Sequence, residues 1–209
     1  MHFLDQKIWF PHVSQATSDG LLAIGGDLSV ERLIYAYQCG VFPWFEEAGP
    51  ILWWAPDPRF VLFPKELKVS KSMKSILKKG RFRVTRNIAF QEVMTQCSGV
   101  KRRDQEGTWI TADMIKAYTG LNDRGYAVSF EVWLDQKLVG GLYGVDLGNG
   151  VFCGESMFSL ESNASKVAFI ELAQSGLYDL IDCQLHTNHL ESLGARNISR
   201  EEFLKYLVF

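Results

Sequence analysis

Three consecutive strand-like runs in the second half of the chain constrain its fold more than any other feature. Ala127 to Trp133 alternates apolar and polar residues, Asp135-Gln136 supplies a turn, and Leu138 to Leu147 returns. Successive side chains of a strand point to opposite faces, so this pattern predicts a β-hairpin. Gly148-Asn149-Gly150 makes a second turn, and Val151 to Phe158 a third strand. Asn163 opens a helix running to about Gly176, and Leu180 to Leu185 is a further strand. Ser199 and Glu202 form a capping box for a last helix. The order β-β-β-α-β-α predicts an α+β domain, a small meander with a packing helix.

The first half is less regular. Gly20 and Gly25-Gly26 form a loop, and Ser29 caps a helix from Val30 to Cys39 that Gly40 stops. Residues 41–60 are dense in aromatics and prolines, which exclude a regular helix and predict an ordered, aromatic-packed loop. Phe60 to Phe63 reads as a strand, Ser70 caps a helix over 71–79, and Arg81 to Thr85 alternates like an edge strand. Thr111 caps a helix ending near Gly125. These elements predict a small α+β N-terminal domain over 1–86 and a second domain over 87–209, with the boundary between residues 86 and 110.

The chain has 209 residues, 47% of them hydrophobic and 22% charged, which places it among folded globular proteins. No apolar run reaches the roughly 18 residues of a membrane span. Nor does a basic stretch followed by an apolar one open the chain, as a secretory leader would. Cys39, Cys97, Cys153 and Cys183 lack C-x-x-C spacing. They predict free thiols in a reducing cytoplasm, hence a cytoplasmic protein.

The net charge of −2 hides an asymmetry. Residues 65–103 hold twelve Lys or Arg and only Glu66 and Glu92 as acids, so that segment is +10 and the remainder −12. One basic region points to a polyanionic partner. On the helix over 71–79, Lys71, Lys74 and Lys78 share one face and Met73, Ile76 and Leu77 the other. Those lysines, with Arg83, are candidates for nucleic-acid phosphate contacts, which supply affinity and salt dependence rather than sequence readout. A plain solvated face is the alternative. Trp44, Trp53, Trp54 and Trp109 lie in loop-like surroundings and are candidates for stacking an unpaired base, with core packing as the alternative for Trp53 and Trp54.

Two carboxylates sit in otherwise apolar strands about 30 residues apart, Glu155 and Asp182. Charged groups are rarely buried unless paired, so both mark a polar site inside a core. Asp182 and Gln184 are two apart on one strand and are expected to share a face. Cys153 and Cys183 lack a basic partner that would activate them as nucleophiles. His186 and His189 without a third ligand are weak evidence for a metal. Gly140, Gly141 and Gly144 predict close backbone approach. No Gly-rich pyrophosphate turn lies between Phe158 and Ser165, which argues against an acyl-CoA enzyme.

Longer runs carry a family resemblance. They are Gly20-Leu-Leu-Ala-Ile-Gly-Gly-Asp-Leu-Ser29, Gly40-Val-Phe-Pro-Trp-Phe45 and Leu52-Trp-Trp-Ala-Pro-Asp-Pro-Arg59, then Gly107-Thr-Trp-Ile-Thr111. Phe152-Cys-Gly-Glu-Ser-Met-Phe-Ser159, Asn163-Ala-Ser-Lys166, Ile181-Asp-Cys-Gln184 and Ser192-Leu-Gly-Ala195 follow in order. With these runs the chain resembles the leucyl/phenylalanyl-tRNA–protein transferases. The resemblance implies a C-terminal domain like the acetyltransferase (GNAT) superfamily with a smaller N-terminal domain. It implies transfer of Leu or Phe, sometimes Met, from aminoacyl-tRNA to the α-amine of proteins starting with Arg or Lys, which marks them for degradation. The partners would be Leu-tRNA, Phe-tRNA and those proteins, and the enzyme a monomer without membrane attachment. The ester is already activated, so no cofactor, ATP or metal is required. By resemblance, Trp44 and Trp109 bracket the terminal adenosine, and Met157, Leu142, Leu172 and Ile181 line the side-chain pocket. Leu172 stands where the family pattern has Phe. Asp182 would orient Gln184, Gln184 would accept a hydrogen bond from the attacking amine, and Glu155 would hold the cationic acceptor or shape the pocket. A module that binds RNA ends or basic N-termini without chemistry is the alternative.

Overall fold

In the computed structural model, which describes residues 1–100 and 110–207, the strands form two sheets. The smaller one is built from β1 (His2–Leu4), β2 (Leu21–Gly25), β3 (Phe42–Pro43) and β4 (Leu52–Trp54), in the order β1-β2-β4-β3. β1 runs parallel to β2, and the other pairs are antiparallel. Helix α1 (Val30–Gln38) connects β2 to β3, and the Ser29 hydroxyl caps it by accepting the Arg32 amide. The aromatic-rich loop is thus ordered by two short strands. Trp53 is fully buried and donates Nε1 to Gly25 O at 2.8 Å. Trp54 donates to Trp44 O at 2.6 Å.

The larger sheet has seven strands: β5 (Arg59–Leu62), β6 (Arg83–Arg86), β7 (Ala127–Leu134), β8 (Lys137–Asp146), β9 (Val151–Ser159), β10 (Leu180–Gln184) and β11 (Arg196–Ile198). Their order is β11-β5-β10-β9-β8-β7-β6. The hairpin and meander appear as β7, β8 and β9. Asp135 and Gln136 turn with φ of 47° and 66°, the left-handed conformation that a two-residue hairpin needs. β6 is an edge strand, and β9 and β10 make this sheet's parallel pair, joined by helix α5 (Ala164–Gln174).

Both faces of the sheet are covered, and β8 feeds both cores, its register against β7 slipping between Val132 and Trp133 so that the side-chain parity changes after Val139. Val139 and Leu142 enter one core with Phe169 of α5, while Leu138, Tyr143 and Val145 enter the other with Met94 and Tyr118. Met94 and Tyr118 belong to α3 (Phe90–Ser98) and α4 (Ala112–Asp123). At Gly140 an added Cβ would stand 2.5 Å from the Ala164 Cβ, and at Gly144 it would collide with the Cys153 carbonyl, so close approach explains these glycines. Ser70 caps α2 (Lys71–Lys78), Thr187 caps α6 (Asn188–Glu191), and Ser199 caps α7 (Arg200–Leu204).

Two expectations change. Residues 59–86, assigned to an N-terminal domain, contribute β5 and β6 to the large sheet, pairing with β10 and β7. Backbone pairing across residue 86 therefore places the boundary expected there inside one sheet. The stretch between residues 86 and 110, taken as boundary, contains α3, whose Phe90, Val93, Met94 and Cys97 are buried.

Candidate active site

The parallel pairing of β9 and β10 ends where Asp182 stands opposite Cys153. Beyond it β9 continues against β8 as far as Ser159, while β10 stops at Gln184. The strands part there, and a cavity of about 510 Å³ opens between them. Its apolar wall includes Leu142, Met157, Phe169, Leu172 and Ile181. Phe42, Pro43 and Trp44 form another side, and Glu155, Asp182 and Gln184 supply polar groups. Leu142, Glu155, Met157, Leu172, Ile181, Asp182 and Gln184, together with Trp44, thus meet in one place. Trp109 and the run Lys101-Arg102-Arg103 lie outside the described residues. Lys71, Lys74, Lys78 and Arg83 are exposed, and Arg83 stacks over Trp133 at 5.6 Å.

Asp182 is fully buried and gripped by Arg59 from β5. Arg59 donates Nε to Oδ1 at 2.8 Å and Nη2 to Oδ2 at 2.7 Å, and Nη1 to Gly40 O at 3.2 Å. The guanidinium also lies over the rings of Phe42 and Phe203, 4.8 and 4.6 Å from their centroids. Burial acts to lower the Arg59 pKa, but the Asp182 carboxylate overrides it and holds the group above its ordinary value.

The contact expected between Asp182 and the Gln184 side chain is absent. β10 carries a bulge, its register slipping between Asp182 and Gln184, and Gln184 adopts φ of 63°. Simple alternation fails across such a bulge, because the extra residue re-aims the side chain. Asp182 Oδ1 accepts the Gln184 backbone N–H at 2.9 Å. The side-chain amide instead donates Nε2 to Glu155 Oε1 at 2.7 Å. An acceptor on that side turns the NH₂ toward Glu155 and leaves Oε1 on the opposite edge of the amide.

Glu155 is partly buried and lines the cavity. It accepts from the Tyr37 hydroxyl at 2.7 Å and the Tyr118 hydroxyl at 3.1 Å, and the two hydroxyls touch each other. Burial raises its pKa from 4.5 to about 7, against the hydrogen bonds from Tyr37, Gln184 and Tyr118 that favour the charged form. Burial, and then the charge of Glu155, pushes both phenols well above their ordinary value.

Tyr37, Tyr118 and Arg59 are further residues in contact with this site that the sequence reading passed over. Their signal was indirect: a buried acid needs donors or a cation, and Arg59 is the lone charge at the start of an apolar strand. Burial also raises the thiols of Cys153 and Cys183, which keeps them protonated and unreactive. His186 meets Glu191 at 3.2 Å, and no group of three metal-ligating residues occurs among the described residues. No helix among them is long and apolar enough to cross a membrane.

Comparison with known proteins identifies the family. Residues 61–208 match the leucyl/phenylalanyl-tRNA protein transferase family, and residues 26–57 match the N-terminal domain of that family. The leucyl/phenylalanyl-tRNA–protein transferase of Flavobacterium johnsoniae is 58% identical, over 99% of both chains. Those of Flavobacterium psychrophilum and Christiangramia forsetii are 56% and 53% identical, covering 99% and 100% of both chains respectively. A GCN5-related N-acetyltransferase from Kribbella flavida is 10% identical with a TM-score of 0.38, covering 85% of this chain and 63% of that one. This chain belongs to the leucyl/phenylalanyl-tRNA–protein transferase family and is an aminoacyltransferase acting between aminoacyl-tRNA and protein.

Proposed function

We propose that the chain moves Leu or Phe from aminoacyl-tRNA to the α-amine of proteins beginning with Arg or Lys, marking them for degradation in the cytoplasm. The observation that carries this reading is the fixed orientation of Gln184, whose NH₂ is held by Glu155 at 2.7 Å beside an apolar cavity. The Leu or Phe side chain occupies the wall of Leu142, Met157, Leu172 and Ile181, with its ester near Gln184. The terminal adenosine stacks on Trp44, and the acceptor stem meets Lys71, Lys74, Lys78 and Arg83.

The chemistry needs little beyond positioning. An α-amine has a pKa of about 7.7–8.0, so a useful fraction is neutral at physiological pH. Gln184 Oε1 accepts one amine hydrogen and aims the nitrogen lone pair at the ester carbonyl. The C–N bond forms, the C–O bond to the ribose breaks, and the displaced proton goes to the leaving hydroxyl. An amide is too weak a base to keep that proton. Holding two reactants in line is a sufficient source of rate when the ester is already activated. Asp182 contributes by pinning the bulge through the Gln184 backbone.

The test is transfer of radiolabelled Leu from Leu-tRNA to an Arg-starting peptide, with the same peptide N-acetylated as control. Label on the free peptide alone is expected. Hydrolysis without transfer, or equal labelling of both peptides, would refute the reading.

A further inference from the structure

Glu155, Tyr37 and Tyr118 close a triangle of oxygen contacts: Tyr37 to Oε1, Tyr118 to Oε2, and hydroxyl to hydroxyl. Each contact needs one hydrogen, and two phenols supply two. Gln184 adds a donor to Oε1 but none to the triangle. With Glu155 ionised, one side of the triangle therefore sets lone pair against lone pair. A protonated carboxyl supplies the missing hydrogen. Oε2–H then donates to Tyr118, Tyr118 to Tyr37, and Tyr37 to Oε1, which accepts Gln184 on its second lone pair. The ring is complete in a region where an unmade hydrogen bond is most costly.

The surrounding charges do not undo this. From β10 comes Asp182 and from β5 Arg59, which are paired with each other at 2.7 Å. Cys153 approaches from β9, and Tyr143 of β8 packs against Tyr118. Burial acts on the carboxyl in the same direction as the ring.

We propose that Glu155 is a neutral acid in the resting site, that Tyr37 and Tyr118 are the positioning residues that hold its hydrogen in a closed ring, and that a cationic amine entering the cavity expels that hydrogen to solvent. The last clause rests on the proposed function, which brings amines to this cavity. Charge balances: the ammonium keeps its positive charge, Glu155 becomes a carboxylate, and one proton passes to the buffer.

Carboxyl-¹³C-glutamate labelling of the full chain tests the resting state, with the Glu155 signal assigned by its loss in Glu155→Gln. A protonated Glu155 at about pH 6 is expected. Tyr37→Phe and Tyr118→Phe should each lower the titration midpoint, because the acid hydrogen loses its ring. Burial alone predicts the opposite sign, since each variant removes a donor to the carboxylate. An ionised Glu155 in the wild type at about pH 6, or a raised midpoint in folded Phe variants, overturns the proposal. For the expulsion step, calorimetry of 3′-leucylamino-3′-deoxyadenosine in buffers of differing ionisation heat should report release of about one proton at that pH. The analogue without the amino group should release none. Binding of the first compound without proton release overturns that clause. Failure of both compounds to bind overturns it together with the functional reading, while the carboxyl titration still judges the ring.

Discussion

Separating what Asp182 does for folding from what it does for turnover requires changing Arg59 with it. Asp182→Asn leaves a guanidinium that is 1% exposed without a counter-charge, and water cannot replace the carboxylate. Breaking such a pair costs about 3–5 kcal/mol, against the ~5–15 kcal/mol that holds a domain folded. With a urea slope of about 2.5 kcal/mol per M, the midpoint falls by roughly 1.2–2 M. Activity lost in that variant would mix unfolding with chemistry. The double variant Arg59→Met, Asp182→Leu removes both charges at similar volume, a change that is often neutral or stabilising. Its residual costs are the Gln184 backbone N–H, which loses its 2.9 Å acceptor at about 1–3 kcal/mol, and the Gly40 carbonyl, which loses its 3.2 Å donor, set against the roughly 1–4 kcal/mol that such an exchange can return. The double variant should therefore unfold within about 1 M of wild type. Leucine transfer to an Arg-starting peptide should fall at least about ten-fold, the equivalent of about 1.4 kcal/mol of lost positioning, mostly in kcat. A folded double variant with wild-type turnover would refute the argument that Asp182 works by pinning the bulge.

The other predictions concern charge, the pocket and pH. The carboxyl of Glu155 rises from 4.5 to about 7, so the native state binds the extra proton in that window. The contribution of this group to stability is full below about pH 4.5 and is lost by about pH 7, up to about 3 kcal/mol. Glu155→Gln, which does not titrate, should abolish that decline, as denaturation at about pH 5 and pH 8 will reveal; an unchanged slope would contradict the raised carboxyl. Reversing Lys71, Lys74 and Lys78 to Glu should weaken tRNA binding and flatten its dependence on salt, each lost phosphate contact reducing the log–log slope by about 0.7–0.9. An unaltered slope would reduce them to a solvated face. Leu172, 1% exposed, lines the cavity, and Leu172→Phe should narrow it. Competition between Phe-tRNA and Leu-tRNA should then shift toward Leu by about ten-fold or more, the usual effect of a methylene-scale misfit.

Much of the framework was legible because local chemistry and global fold agree. Ser29, Ser70, Thr111 and Ser199 each cap the helix they were expected to cap. The β7–β8 hairpin follows from alternation and a turn that both central residues satisfy. What escaped was long-range. Nothing local in Arg59 to Leu62 reveals that this strand lies between β10 and β11, more than a hundred residues away. Tyr37 and Tyr118 read as helix-core aromatics until the fold sets their hydroxyls on a carboxylate. The bulge at Gln184 defeated the period-2 rule, which holds only while the ladder is unbroken. Phe90, Val93, Met94 and Cys97 carry the apolar spacing of a helix within a stretch expected to be a boundary.

Arg59 touches more of the chain than its ion pair implies. It gathers the carbonyl of Gly40, the ring of Phe42, the carboxylate of Asp182 and the ring of Phe203 around one cation. Those residues are made at widely separated moments during synthesis, and Phe203 is the last. A nascent chain that has emerged only as far as β10 already holds Asp182 and Gln184, yet one wall around the cation is still missing. Competence for transfer should therefore arrive late and abruptly, when α7 docks.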